Sequence, residues 1–353
     1  MKFSVLYDKY NGFRTPTFTL NVSGRTLDVV SGVQLESMEC RLTTLCEAGT
    51  LTLRAELDSS TDGANVWLES VQLGAVCTLS LGYVGTEQVV FSGFVYDVVW
   101  DDPLDHARMI LEMTCVDVRG QLMLSSCSDA GASRTLSQLV SKLLNQSCCT
   151  RMATAQIQTI PQDWDLPFQR TGSTDFEILC SVADFLCFEF YTYADTVYFG
   201  PARDSSETAV TFDGPNGLIH LSRRRSLAGQ CAGMAVSSAD DKGERIYARE
   251  ARTTDNGFGV DHIESALILD RLEAEPAIRT MAQAQYLAKQ RMNKCQHHSS
   301  MLLGQCTGLP ELRPGRFVEV TDLSQQVNGS YYIQTVIHTI DETGFETSFE
   351  AQE

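Results

Sequence analysis

The sequence predicts a mainly β protein with α+β parts. It reads as two antiparallel β-units in one chain, a small α+β region between them, and a polar insertion. Three observations carry this. The stretch from Leu309 to Glu350 has Pro314-Gly315 opening a short strand from Arg316 to Val320. Asn328-Gly329 opens a long strand from Tyr331 to Ile340. A turn at Asp341, Glu342 and Gly344 then returns the chain over Phe345 to Glu350. The same order recurs from Leu73-Gly74: Ala75 to Gly82, a polar turn at 85–88, Val89 to Trp100, an acidic turn at Asp101, Asp102 and Pro103, and a return over Arg108 to Asp117. Two copies of one β-unit suggest a pseudo-symmetric object. Between them lie two capped helical patterns and an aromatic hairpin.

Taken in order, residues 1–60 read as short strands at Phe3 to Tyr7, Thr17 to Val22, Val33 to Arg41 and Thr50 to Leu57, with Asp58 to Asn65 a polar loop. With the first repeat unit they make a barrel or sandwich. Met109, Leu111, Met113 and Cys115 share one strand face, and Phe94, Tyr96, Val98 and Trp100 share another. In the second unit Tyr331, Ile333 and Ile337 should lie on one face, with Gln334 and His338 on the other.

Leu124 to Ser133 is a break. Thr135 with Gln138 fits a capping box, followed by an apolar stripe of Leu136, Leu139, Val140, Leu143 and Leu144. Pro161 and Pro167 keep 157–172 extended. Thr174 with Glu177 fits a second capping box, with Leu179, Val182, Ala183 and Leu186 buried. Phe188 to Tyr193 and Thr196 to Phe199 flank a turn at Ala194-Asp195. The hairpin aromatics Phe188, Phe190, Tyr191, Tyr193, Tyr198 and Phe199 could stack bases, but on one hairpin they read as core and cross-strand pairs. Arg223-Arg224-Arg225 is the only basic triplet. It reads as a strand edge facing an acidic neighbour, or a solvated turn, with subunit–subunit salt links as one use. Residues 238–275 are polar, with turns at 240–244 and 255–257. After Pro276 a helix runs to about Lys294, lined by Ile278, Met281, Ala284, Ala288 and Met292.

The 353 residues are 43% hydrophobic, enough for more than one domain. Formal net charge is −18. Phosphate contacts need Lys and Arg, so no specific nucleic-acid binding is expected. The start MKFSVLYDKYNG has no apolar stretch of signal-peptide length, and no window suits a membrane span, so synthesis in a cytoplasm without membrane insertion is expected. The twelve cysteines include no Cys-x-x-Cys pair and read as buried free thiols.

Searching for chemistry gives little. The histidines are His106, His220, His262, His297, His298 and His338; none forms a His-Glu-x-x-His site. His297-His298, read on a strand, would point to opposite faces. No nucleophile elbow or phosphate-binding loop is present, and Gly257-Phe-Gly259 lacks the strand–turn–helix context. Asp101-Asp102 and Asp240-Asp241 read as solvated turns. No catalytic, cofactor-binding or metal-ligating residue is assigned.

Several stretches together carry a resemblance. They are Phe91-Ser-Gly-Phe-Val95 with Cys115-Val-Asp117, Ser173-Thr-Asp-Phe-Glu177 before the Phe188 to Phe199 hairpin, and Leu312-Arg-Pro-Gly315 with Gly329-Ser-Tyr-Tyr-Ile333 and Val336-Ile-His338. In order and spacing over roughly 70–350 they resemble the baseplate hub proteins of contractile phage tails and tail-like injection systems: the phage late control protein D family and the N-terminal hub part of VgrG. The resemblance implies two tube-like antiparallel β-barrels, at 1–124 and 213–353, around a small α+β docking domain at 125–212, with a variable insertion at about 238–275. It implies a homotrimer in which six barrels adapt a hexameric tail tube to a trimeric spike protein, with other baseplate proteins as neighbours. An acidic wall would then repel a DNA or effector cargo, although many soluble proteins are simply acidic. VgrG chains continue into a β-helical spike; here a separate spike is expected, and there is no lysozyme-like region. A β-rich cell-wall glycan-processing enzyme and a soluble ligand-binding β-protein are the alternatives.

Overall fold

The largest sheet draws strands from both ends of the chain. The computed structural model describes residues 1–27, 32–58, 60–102, 108–126, 133–161, 164, 173–253 and 269–353. Helix α1 (Phe3–Lys9) precedes β1 (Pro16–Val22), β2 (Arg25–Leu27), β3 (Val33–Thr43) and β4 (Thr50–Asp58). Helix α2 (Asp62–Leu68) leads to β5 (Val76–Tyr83), β6 (Gln88–Asp101) and β7 (Arg108–Asp117). Next come α3 (Val118–Leu124), α4 (Leu136–Leu144), α5 (Ser147–Thr150), β8 (Thr154–Ile157), α6 (Asp175–Leu186), β9 (Phe188–Tyr193) and β10 (Thr196–Pro201). The remainder is β11 (Thr208–Asp213), β12 (Leu218–Arg225), β13 (Gly233–Ala239), β14 (Arg245–Ala251), β15 (Asp270–Ala274), α7 (Met281–His297), β16 (Ser300–Thr307), β17 (Phe317–Thr321), β18 (Gly329–Asp341) and β19 (Gly344–Gln352).

Among the described residues this sheet has 13 strands in the order β12-β16-β19-β18-β3-β4-β7-β6-β5-β1-β2, with β17 on β18 and β11 on β17. It contains the repeat. The run β3-β4-β7-β6-β5-β1 matches β12-β16-β19-β18-β17-β11. The match extends to irregularities. β3 slips against β4 between Leu35 and Ser37, and β12 slips at the equivalent Leu218 and His220. β6 slips against β7 between Val95 and Asp97, and β18 slips against β19 between Ile333 and Thr335. Bulges bend a strand and insert an unpaired residue, so matched bulges mean matched curvature. One difference remains: β1 meets β5 antiparallel, whereas β11 meets β17 parallel.

The bulges correct two face assignments. Tyr331 and Ile333 are buried as expected. Beyond the extra residue Gln334, however, Val336 and His338 turn inward and Ile337 sits half-exposed. One added residue exchanges the faces of everything after it. In β6 the extra residue is Tyr96, which is exposed, and Val95 and Val98 face the core instead. On β7, Leu111, Met113 and Cys115 are buried as the alternation predicts.

Other local expectations divide. Phe3 to Tyr7 is helical, because Phe3, Leu6 and Tyr10 bury one face while Val5 and Tyr7 stay exposed. The expected 58–65 loop holds the start of α2, whose Ala64 and Trp67 are buried. Thr174 and Glu177 form a complete capping box. Thr135 caps α4, but the Gln138 side chain accepts from the Arg134 N–H instead of closing the box on Thr135. The last helix starts at a second complete box, Thr280 with Gln283. Its buried face is Ala284, Leu287, Ala288 and Met292, with Met281 exposed.

Two cores result. One runs through both β-units and includes Leu51, Phe91, Leu111, Phe212, Leu302, Tyr331 and Phe349. The other is built by α3, α4, α6, β9 and β10. β13, β14 and α7 also contribute to it, through Val236, Ile246, Ala248, Ala284 and Leu287.

Candidate interaction surface

The polar residues that are deeply buried mostly join parts of the chain. At the end of β7 the Asp117 carboxylate accepts from the Gly49 N–H at 2.7 Å and the Arg119 N–H at 2.9 Å. The Arg119 guanidinium binds the same carboxylate at 2.7 Å and donates to the Phe190 carbonyl at 3.0 Å and the Leu45 carbonyl at 3.2 Å. Both side chains are fully buried. This cluster ties the first β-unit to the α+β region. At the matching end of β19, Arg223 donates to the Glu353 carboxylate and, at 2.9 Å, to Ser300 Oγ, while Arg203 donates to the Glu353 carbonyl at 2.8 Å.

Tyr332 on β18 donates to the buried Glu189 carboxyl on β9. Burial pushes Glu189 up to about 7, against the lowering effect of the Tyr332 hydrogen bond. A raised folded-state pKa favours the protonated form. Its stabilising contribution is full below the unfolded value near 4.5 and is lost as the pH rises through about 7. Glu189→Gln should therefore gain stability relative to the wild type between pH 5 and pH 8, by about 3 kcal/mol at most. Urea denaturation of both proteins at the two pH values checks this; an unchanged difference would refute it. The comparison is made against the variant because His297 and His338, which burial lowers to about 4, favour folding in the opposite direction as pH rises.

The histidines and acidic pairs are dispersed. His297 and His298 are not on a strand: they close α7, and their Nδ1 atoms meet the Glu353 and Lys294 carbonyls at 2.9 and 2.8 Å. His338 is buried against Thr347 Oγ1 at 2.9 Å. Asp240 caps its own turn, accepting from the Lys242 and Glu244 N–H groups. His106, His262, Pro103 and the 255–257 and 257–259 loops lie outside the described residues. Among the described residues no group of three His, Cys, Asp or Glu could hold a metal. The eleven described cysteines are free, most of them buried, with Cys46 exposed. The hairpin aromatics are core: Phe190 and Phe199 are fully buried, and Tyr191 and Tyr198 pair with ring centres 5.0 Å apart.

The accessible surface includes strand edges of the large sheet. Where the two β-units meet, β18 passes from β17 onto β3, pairing Thr335 with Thr43 through Asp341 with Ser37. The equivalent strand of the first unit, β6, passes from β5 to nothing among the described residues: the edge beyond Val95 carries no strand. The equivalent of β3 is β12, which among the described residues is paired only with β16. The consequence shows in burial. His338, under the seam, is 1% exposed, whereas its counterpart Trp100 is 44% exposed. Tyr96 and Val99 on β6 and Ile219 on β12 are exposed as well.

No protein-family model and no curated protein matches this sequence. Solved structures do match. A tail protein from Neisseria meningitidis is 13% identical, with 96% of this chain and 97% of that one covered and a TM-score of 0.72. A 43 kDa tail protein of prophage MuSo2 from Shewanella oneidensis is 15% identical, with 96% and 98% covered and a TM-score of 0.68. An Escherichia coli component of the type VI secretion system, described as structurally similar to the T4 bacteriophage tail proteins gp27 and gp5, is 14% identical, with 94% and 76% covered and a TM-score of 0.61. The chain thus has the fold of these phage tail proteins and of this type VI secretion component. The mainly β architecture expected from the sequence is the one found.

Proposed function

We propose that this chain is a structural, non-enzymatic baseplate hub of a contractile tail or tail-like injection particle, of the late control protein D kind. It assembles as a homotrimeric ring that adapts a hexameric tail tube to a trimeric spike, as part of the particle. The observation that carries this reading is the seam. Two matched β-units are joined edge to edge by β3 and β18, and among the described residues the same two edges, β12 and β6, are left open at the ends. Such a heterologous contact repeats until the ring closes. Two units do not close it, since β12 and β6 of one chain do not pair. Three chains supply six near-equivalent units, the number a hexameric tube requires. In this reading 1–124 and 213–353 are the tube-like barrels, and 125–212 with the strands of the insertion is the docking body that meets spike and baseplate neighbours.

Light scattering on the chain alone and co-expressed with the neighbouring spike protein tests this. The expected particle contains three copies, about three times the 39.0 kDa chain. A chain that stays monomeric with every spike and tube partner would refute it.

A further inference from the structure

The hub reading requires chains to meet but does not say which atoms do so. Resting on that reading, we infer that the open edge of β6 in one chain pairs antiparallel with β12 of a second copy, placing Arg224 of the second copy between Asp97 and Asp101 of the first.

The register follows from the seam already present within the chain. The matched bulges equate Thr335 with Asp97 on the long strands and Ser37 with His220 on the edge strands. Within the chain Thr335 faces Thr43, Ile337 faces Arg41 and Thr339 faces Glu39. Carried over, Asp97 faces Ser226, Val99 faces Arg224 and Asp101 faces Ser222. The Thr44 N–H donates to the Gln334 carbonyl at 2.8 Å. That makes 334 and 44 a hydrogen-bonded pair and the next pair, 335 with 43, a narrow one. The narrow pairs alternate, so 97/226, 99/224 and 101/222 are all narrow, with side chains at closest approach.

Charge is compatible with this register, which the intramolecular seam sets. On one face the β6 edge presents Asp97, Val99 and Asp101; all three are exposed. The facing β12 residues are Ser226, Arg224 and Ser222, and Arg224 is exposed. An arginine opposite Val99 is diagonal to both aspartates, within reach of a long side chain. A slip by one residue would aim Arg224 at the other face. Pairing would also cover Val99 and Trp100; of their counterparts at the intramolecular seam, His338 is buried and Ile337 partly so. The basic triplet in an acidic chain thereby acquires a role: Arg223 is committed to Glu353 inside its own chain, and Arg224 is aimed outward.

The experiment is disulfide trapping in the assembled full-length chain. Asp101→Cys with Ser222→Cys places thiols at a narrow pair, where Cα atoms stand about 4.5 Å apart, suitable for a disulfide. Mild oxidation should convert most of the protein to covalent multimers ending at three chains. Wild type and the out-of-register pair Asp101→Cys with Arg225→Cys should give at least tenfold less. Separately, Arg224→Glu should raise the concentration at which the ring half-dissociates at least tenfold, and adding Asp97→Lys and Asp101→Lys should restore it. A three-chain ring that forms no disulfide at 101/222, or that ignores charge reversal and rescue, overturns this register and leaves the hub reading standing. A monomer under all conditions overturns both.

Discussion

Arg119→Ala should destabilise the protein by about 3–5 kcal/mol, the range for removing one partner of a buried ion pair. The physical reason is what stays behind. Asp117 keeps its place, because the Gly49 and residue 119 N–H groups still bind it, but its charge loses the guanidinium in a site with no solvent exposure. The Leu45 and Phe190 carbonyls lose their donor at the same time. A second substitution separates the pair from its surroundings. Asp117→Asn combined with Arg119→Met leaves no unpaired charge, and should recover more than half of the loss. Urea midpoints and slopes for the two variants decide it. A loss below about 1 kcal/mol for Arg119→Ala would show that the cluster does not bind the β-sheet to the α+β region.

That cluster was illegible in the sequence, and the reason is general. Asp117 and Arg119 read as the end of a strand and the start of something polar. Their partners Gly49 and Phe190 are 68 and 71 residues away. Local signals are legible where the physics is local. Pro314-Gly315 does open a strand: Gly315 has φ +79°, and a Cβ there would fall 2.1 Å from the Tyr191 hydroxyl. The Thr174 box and the aromatic hairpin also stand where the pattern puts them. Phe3 to Tyr7 reads as a strand because Phe, Val and Tyr favour strands. The 3.6-residue spacing of Phe3, Leu6 and Tyr10, stacked over Phe212 and Tyr83, decides in favour of helix. The duplication was visible as an order of elements. Its matched bulges were not, since a bulge is a property of two paired strands, and Gln334 or Tyr96 alone carries no mark of it. Arg223-Arg224-Arg225 reads as a strand edge or a solvated turn, and among the described residues it lies on β12 at an edge of the sheet. Its partner became nameable only once the β3–β18 seam supplied a register.

Val336→Asp and Ile337→Asp should behave oppositely, and the contrast tests the bulge directly. Simple alternation from Tyr331 puts Ile337 in the core and Val336 outside. The bulge at Gln334 reverses this: Val336 is fully buried opposite Phe349, and Ile337 is half-exposed opposite Ser348 and Arg41. An aspartate at 336 loses the burial of the valine, about 1.5–3 kcal/mol, and adds a carboxyl whose pKa burial forces upward. Together these reach roughly 5 kcal/mol or more at neutral pH, a large share of what holds a domain folded. Because the raised pKa makes the penalty one of ionisation, part of it should be recovered as the pH falls through the raised value towards about 4. An aspartate at 337 meets water on one side and Arg41 directly across the seam. Its effect should stay within about 1 kcal/mol. Thermal and urea denaturation of the two variants at pH 7 and pH 5 make the measurement. If Ile337→Asp were the damaging change, the strand would be in regular alternation. The match between β6 and β18, and with it the register carried from the seam to the open edges, would then be lost.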